Sequence, residues 1–338
     1  AGQGADVLGV LSMLRDTGLM VAANDVCQQL NAPVAPPLDL PPTRCFIITC
    51  DRPEAVERLL ESTLRAGNLS RHQALYLVDD SRNPACAEQN REAVQRFNLT
   101  SPRDMRYFGA TEAKHFMNEL IAKRPEQEAA IRFLIDREHW SGNTTHGLAR
   151  NLCMLLSVGC RAIVMDDDVL CTAMVAPHRK SGVTFGAVEK EADFYADHQE
   201  MLQRATPAEF DPFAGHAECL GLNIGQALQK LLPESLTSAD LAGANAGYLR
   251  LWQARSPVLI TQCGTLGDPG SPATDWIYYA EGETAKRLTE FGGGIEGALT
   301  SRSYWVGHPR PCFTKMAGMS QVTGLDNSQL LPPYFPLY

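Results

Sequence analysis

No stretch of this sequence stays apolar for the length of a membrane span; the nearest, around Leu152 to Met165, is interrupted by Arg161. No transmembrane segment is therefore expected. The opening residues also lack the basic start and long apolar run of a secretory signal. Positive charge is scarce: 30 Lys and Arg face 39 Asp and Glu, for a net charge of −9. A chain that grips nucleic acid by its phosphates carries the opposite balance, so nucleic acid is not an expected partner. A small anionic substrate stays open, because a metal and a few local arginines suffice to hold one. None of the ten cysteines forms a C-x-x-C pair, and Cys45, Cys50, Cys153 and Cys160 fall in apolar strand or helix patterns. Buried free thiols in a reducing cytoplasm are expected rather than disulfides.

What is present is a sequence of 338 residues, 44% hydrophobic, long enough to bury a large α/β core. Val7, Leu8, Leu11 and Leu14, then Val21, Val26 and Leu30, recur at helical spacing around a break at Thr17-Gly18. The following stretch, 31–42, holds five prolines and reads as a linker, so residues 1–42 form an N-terminal helical extension. Two further divisions are expected, 43–171 and 172–338. The second reads as cut short at its C-terminus.

Within 43–171 the order is strand, helix, strand. Cys45-Phe46-Ile47-Ile48-Thr49-Cys50 is an apolar strand, Pro53 opens a helix with Val56, Leu59, Leu60 and Leu64 on one face, and Ala74-Leu75-Tyr76-Leu77-Val78 is the second strand. A βαβ unit implies parallel strands with a ligand site at their carboxyl ends. Residues 85–138 read as a polar, mostly helical insertion. Gly147 to Gly159 is a helix with Leu148, Leu152, Leu155 and Leu156 as its stripe. Beyond Leu170, residues 187–202 read as polar helix, 221–232 as a short helix and 258–261 as a strand. The glycines of 264–268 and 292–294 read as turns.

The most informative run is Ala162-Ile163-Val164-Met165-Asp166-Asp167-Asp168. A β-branched strand that ends in three acids delivers carboxylates to its exposed tip. Adjacent carboxylates repel, so a cation among them is the easiest way to keep them together, and oxygen ligands suit Mg²⁺ or Mn²⁺. An acidic loop or helix-cap cluster is the plainer alternative.

In order, these motifs resemble the nucleotide-sugar-dependent glycosyltransferases of the GT-A fold, and among them the large inverting family 2. Phe46-Ile47-Ile48-Thr49-Cys50-Asp51-Arg52-Pro53 is similar to the family's first strand and turn, and Leu77-Val78-Asp79-Asp80-Ser81 to its second-strand motif. Leu148-Ala149-Arg150-Asn151, then Gly159, then Asp166-Asp167-Asp168, resembles the helix leading to its metal-binding Asp-x-Asp. The resemblance covers roughly residues 43–171. It implies an α/β, Rossmann-like, mostly parallel sheet flanked by helices, and an enzyme that moves a sugar from a nucleotide-diphosphate-sugar, with a UDP-sugar the first choice, to a glycan, protein or small-molecule acceptor.

The resemblance also implies roles. Asp80 accepts a hydrogen bond from the base, Thr49 and Arg52 line the nucleotide pocket, and Arg150 lies near the diphosphate. Asp166 holds ribose or donor sugar, and Asp166, Asp167 and Asp168 are the candidate ligands of Mn²⁺ or Mg²⁺. Arg150 could instead pair with Asp166 or Asp80, and Asn151 could be a packing or cap residue. An inverting transfer needs a carboxylate base, which the family takes from a Glu-Asp pair absent after the metal motif here. Asp275 is the first candidate, with Asp268 and Glu296 beside it, and His308 is a candidate further metal ligand. The stretch 324–336 resembles the lead-in to that acidic pair, so the base is also sought beyond Tyr338. Two other readings stand: a non-catalytic nucleotide-sugar-binding module, and a sugar-phosphate nucleotidyltransferase. The latter expects a glycine-rich basic loop where Cys50-Asp51-Arg52-Pro53 stands.

Overall fold

The computed structural model describes every residue except 1, 36–38, 187–189, 269, 271–273, 316–320 and 337–338. Two helices come first, α1 (Gly2–Asp16) and α2 (Ala23–Leu30), with Gly18 left-handed (φ +73°) at the break between them. There follow β1 (Thr43–Thr49), α3 (Pro53–Ala66), β2 (Ala74–Asp79), α4 (Pro84–Asn98), β3 (Met105–Phe108), α5 (Ala110–Lys123), α6 (Glu128–Ile135), α7 (His146–Leu156) and β4 (Arg161–Asp166). The second half carries β5 (Met174–Val175), β6 (Thr184–Phe185), β7 (Glu191–Tyr195), α8 (His198–Arg204), β8 (Thr206–Pro207), α9 (Pro212–Cys219), α10 (Ile224–Leu231) and α11 (Ala246–Leu249). It ends with β9 (Ile260–Gln262), β10 (Thr265–Gly267), α12 (Gly282–Glu290), α13 (Gly294–Ser301), β11 (Ser303–Gly307), β12 (Cys312–Phe313) and β13 (Val322–Asp326). Among the described residues no helix is long and apolar enough to cross a membrane.

The central sheet has the order β3-β2-β1-β4-β13-β9. Strands β1 to β4 run parallel, and β13 is antiparallel to both its neighbours. This is the expected class, α/β with a mostly parallel sheet flanked by helices. The strands read as unbroken apolar runs because both faces are covered. Cys45, Ile47, Leu75 and Leu77 pack with Val56 and Leu59 of α3 and Val94 of α4. The alternate residues Phe46, Ile48, Tyr76 and Val78 pack with Leu152 and Cys153 of α7, Met117 of α5 and Ile135 of α6. β1 and β2 thus carry the side-chain period of two directly into two cores.

A smaller antiparallel sheet, β10-β11-β7, lies in the second half. Helix α2 buries Val26, Cys27 and Leu30 against Phe185, Leu228 and Trp252, so the N-terminal extension packs on second-half residues.

Several local expectations are corrected. Within 190–202 the chain is not one helix: β7 is a fully buried strand, followed by α8. Its polar look misled, because Glu191 and Asp193 are buried as ion pairs with Lys180, Arg287 and Arg204. The part 187–189 of that expected helix lies outside the described residues. The turn expected at 264–268 contains β10, and the insertion 85–138 contains β3, an edge strand only four residues long. None of the ten cysteines is in a disulfide, but Cys50 is exposed rather than buried, since β1 ends one residue earlier.

Two buried histidines set an acid limit on this fold. His72 Nδ1 meets Thr43 Oγ1 at 2.7 Å, and His216 Nδ1 meets Thr261 Oγ1 at 3.0 Å. Burial lowers both from the ordinary range to about 4. Because the folded values lie below the unfolded value of about 6.5, the unfolded chain takes up protons first as pH falls. The stability these neutral imidazoles contribute is therefore whole above about pH 6.5 and lost on the way down to about pH 4. Denaturation midpoints should drop across that window, and the double variant His72→Gln, His216→Gln should show a flatter drop; an unchanged pH curve would remove the histidines from the account.

Candidate functional site

Register brings the polar tips together. Thr49 lies opposite Asp79 of β2, and Ile48 lies opposite Asp166 of β4. β1 sits between the other two, so Asp80 and Asp166 to Asp168 flank its carboxyl end about two strand spacings, roughly 10 Å, apart. The turn after β1 fills the interval with Cys50, Asp51 and Arg52.

The acid triplet is held by cations and one hydroxyl. Arg150 Nη2, on α7, donates to Asp166 Oδ1 at 2.9 Å. Thr49 Oγ1 donates to Asp167 Oδ2 at 2.6 Å. Arg52 Nη1 spans Asp167 Oδ1 at 2.9 Å and Asp168 Oδ2 at 3.1 Å. Asp167 is buried with both oxygens engaged, whereas Asp168 is exposed. Burial pushes Asp166 up to about 6 against the pull of Arg150, with Asp168 and Asp167 adding to the rise. Burial likewise raises Asp167, against Thr49 and Arg52. Arg150 thus pairs with Asp166, the alternative role weighed for it. Asn151 is a packing residue: its amide donates to Leu134 O and Tyr334 O, and its Oδ1 accepts from Tyr334 N.

The turn itself is strained and over-determined. Asp51 is left-handed (φ 55°), a conformation uncommon outside glycine. Its Oδ1 accepts from the backbone N–H of Arg82 and of Asn83, both at 2.8 Å, and its own N–H donates to Ser81 Oγ at 2.9 Å. These bonds tie the tip of β1 to the tip of β2. Beneath them, buried Asp79 accepts from Ser81 N, Asn90 Nδ2 and Tyr107 Oη. Both aspartates lie inside the two strand-tip motifs of the sequence, but nothing in those motifs marks them as the residues that tie the turns together.

On the β2 side, Asp80 faces the segment after α6. Arg137 Nη1 lies 3.4 Å from Asp80 Oδ1 and donates to Ser81 O at 2.9 Å, while Thr145 Oγ1 lies 3.4 Å from Asp80 Oδ2. Burial raises Asp80, with Arg137 and Thr145 opposing. Ring contacts among Phe133, His139, Trp140 and Phe335 back this wall. Sequence reasoning missed Arg137, which lay in a stretch read only as polar insertion.

On the far side, Gly270 adopts φ +69°, and a Cβ there would lie 3.9 Å from Asp168 Oδ2. Asp268 accepts from Gly270 N at 2.9 Å and from both ends of the Arg302 fork at 2.8 and 2.6 Å. The Arg302 bonds hold its carboxyl below the usual range. Asp268 is thereby placed beside the acid rim. Asp275 is exposed at the start of a 3₁₀ turn, Asp275–Tyr279, and Glu296 is exposed in the first turn of α13. His308 follows β11. Among the described residues no group of three His, Cys, Asp or Glu is close enough to hold a metal ion by itself, so His308 does not join two of the acids. Asp326 pairs in register with Arg161, at the opposite end of β4 from Asp166.

No protein family matches this chain, and no curated protein does. Among solved structures it is similar to a mannosyltransferase, PcManGT from Pyrobaculum calidifontis in complex with GDP-Man and Mn²⁺. The identity is 16% and the TM-score 0.25, over 50% of this chain and 40% of that one.

The Asp51 turn yields a test. Asp51→Ala removes two hydrogen bonds and keeps the left-handed strain, whereas Asn tolerates that conformation and keeps an acceptor oxygen. Asp51→Ala should cost about 1–3 kcal/mol more than Asp51→Asn in chemical denaturation. Equal losses would show that the turn does not depend on this side chain.

Proposed function

We propose that this protein is a GT-A-type glycosyltransferase that moves a sugar from a nucleoside-diphosphate-sugar to an acceptor hydroxyl with the help of a divalent cation. One observation carries the reading: three parallel strands, β2, β1 and β4, bring Asp80, the Thr49–Arg52 turn and the acid triplet to one sheet edge, where Arg150 of α7 joins them. In open α/β sheets that edge, at the carboxyl ends of the strands, is where ligands sit.

Asp80 is the acceptor for a base N–H, and Arg137 beside it is a donor for the neighbouring base carbonyl. That pair matches the edge of uracil or guanine, in which an N–H adjoins a C=O, so a UDP-sugar remains the first choice and a GDP-sugar fits the same chemistry. Thr49 and Asp51 fix the turn that lines the pocket. Arg52 and Arg150 are the cations within reach of a diphosphate.

The donor set suits a hard cation. Arg150 engages only Oδ1 of Asp166 and Arg52 only Oδ2 of Asp168, so among the described residues one oxygen of each carries no bond. Asp168 and one neighbouring aspartate would hold Mn²⁺ or Mg²⁺: Asp166 through its unbonded oxygen, or Asp167 where Arg52 gives way. Two carboxylates without a third protein ligand suit ions that keep water and take phosphate oxygens. When bound, such an ion neutralises charge on the departing nucleoside diphosphate.

Asp268, bonded to Gly270 beside Asp168, is the candidate for taking the acceptor's proton. With Arg302 on both its oxygens it is a weak base, so proton transfer to it requires the fork to open. That clamp is also the observation that favours the second reading, a donor-binding module without turnover. Ten cysteines outside disulfides suit a reducing compartment such as the cytoplasm.

The deciding experiment combines binding and turnover. UDP or GDP with Mn²⁺ should raise the melting temperature, since a ligand selective for the folded state stabilises it. Donor hydrolysis or transfer should need Mn²⁺ or Mg²⁺, and Asp168→Asn should lower it at least about 100-fold, the scale of losing a preorganised electrostatic group. Full turnover by that variant in chelator would end the proposal. Nucleotide binding without turnover would select the module.

A further inference from the structure

Three carboxylates meet two guanidinium groups at the rim, and the two arginines are built differently. Arg150 is fixed: its side chain is 12% exposed, it serves one carboxylate, and it also reaches His146 O on its own helix. Arg52 is half exposed, and a single nitrogen, Nη1, bridges Asp167 and Asp168. One positive centre between two carboxylate oxygens is the position a compact metal cation takes. Arg52 is moreover the N-cap residue of α3, directly between strained Asp51 and helix-opening Pro53. Its backbone is therefore pinned, and its side chain is the part left able to move.

We propose that Arg52 is a positioning residue that stands in for the divalent cation and yields to it, coupling entry of the metal to capture of the diphosphate. The inference rests on reading the rim as a metal and diphosphate site, and adds to it an exchange. Arginine cannot give up its charge, so it can leave the acids only by trading places with another cation. Buried Asp167 forbids simple loss, because a carboxylate stripped of its counter-ion in a poorly hydrated site is costly. Half-exposed Arg52 can be displaced, since exposed ion pairs are weak. Once displaced, its planar fork stands at the mouth of the pocket, where phosphate oxygens replace the lost carboxylates. Metal alone should then bind weakly, because it must evict Arg52 into water. Metal and nucleotide should bind cooperatively, each strengthening the other by the same factor.

The test is Mn²⁺ binding by the full chain, followed by electron paramagnetic resonance of the free ion, with UDP and GDP as the nucleotide probes. Without nucleotide, Arg52→Gln should bind Mn²⁺ roughly five-fold tighter than the parent, the size an exposed ion pair commands. The tightening of Mn²⁺ binding by UDP or GDP should shrink toward one in this variant. Arg52→Lys keeps the charge but loses the fork, and should shift Mn²⁺ affinity in the same direction by less; it decides the matter if Arg52→Gln does not fold. Unchanged or weaker Mn²⁺ binding by the Arg52 variants, with Asp168→Asn abolishing it, overturns the exchange and leaves the metal site standing. Asp168→Asn binding Mn²⁺ like the parent, or no Mn²⁺ binding by the parent and Arg52→Gln alike, overturns both.

Discussion

Repulsion among three adjacent carboxylates is the constraint around which this sheet edge is organised. Unscreened like charges a few ångströms apart oppose folding, more so when burial thins the water around them. The molecule answers with a partner for every acid: Arg150 from α7 on Asp166, Thr49 from β1 on Asp167, and Arg52 from the β1–α3 turn on Asp167 and Asp168. Each partner arrives from a different element, so the edge exists only if α7, β1 and the turn all dock. Asp51 and Asp79 belong to the same arrangement one step back, one bending the turn and the other knitting β2 to α4 and β3.

The parts of the fold legible in the sequence are those whose local pattern and final environment agree. β1, β2 and β4 are covered on both faces, so they are apolar throughout, and α3 and α7 display the stripe that meets them. The acid-tipped strand and Asp80 were legible because a run of carboxylates after an apolar segment is rare in composition. β7 was not, since its identity depends on partners far along the chain: Arg287 makes Glu191 a core residue, and nothing near Glu191 announces it. Arg137 was hidden for the same reason. Its meaning comes from Asp80, across a strand, and its own neighbours look like solvent-facing insertion. Edge strands such as β3 and β10 are too short to establish a period.

The candidate site divides along the same line. Thr49 and Asp166 close strands whose register is fixed by hydrogen-bonded ladders, and Asp80, Asp167 and Asp168 follow directly on such strands. Its opposite wall, Asp268 and Gly270 with Arg302, lies on turns and helix ends, where two residues of the three take left-handed backbone. Loop carboxylates such as Asp268 carry no periodicity, so a candidate base was harder to pick from the sequence than the acids.

The seam between the middle of the sequence and its last part has a kinetic meaning. Gly147, at the start of α7, lies so close to the Phe335 carbonyl that a Cβ would collide with it, and Asn151 is laced to Tyr334 one turn on. β13, from the same late region, fills the sheet position beside β4. A ribosome therefore releases the βαβ half long before the pieces that cover it, leaving one flank of β4 as a bare hydrogen-bonding edge in the nascent chain. Closure waits on contacts spanning 183 residues, the kind of long-loop entropy that slows assembly.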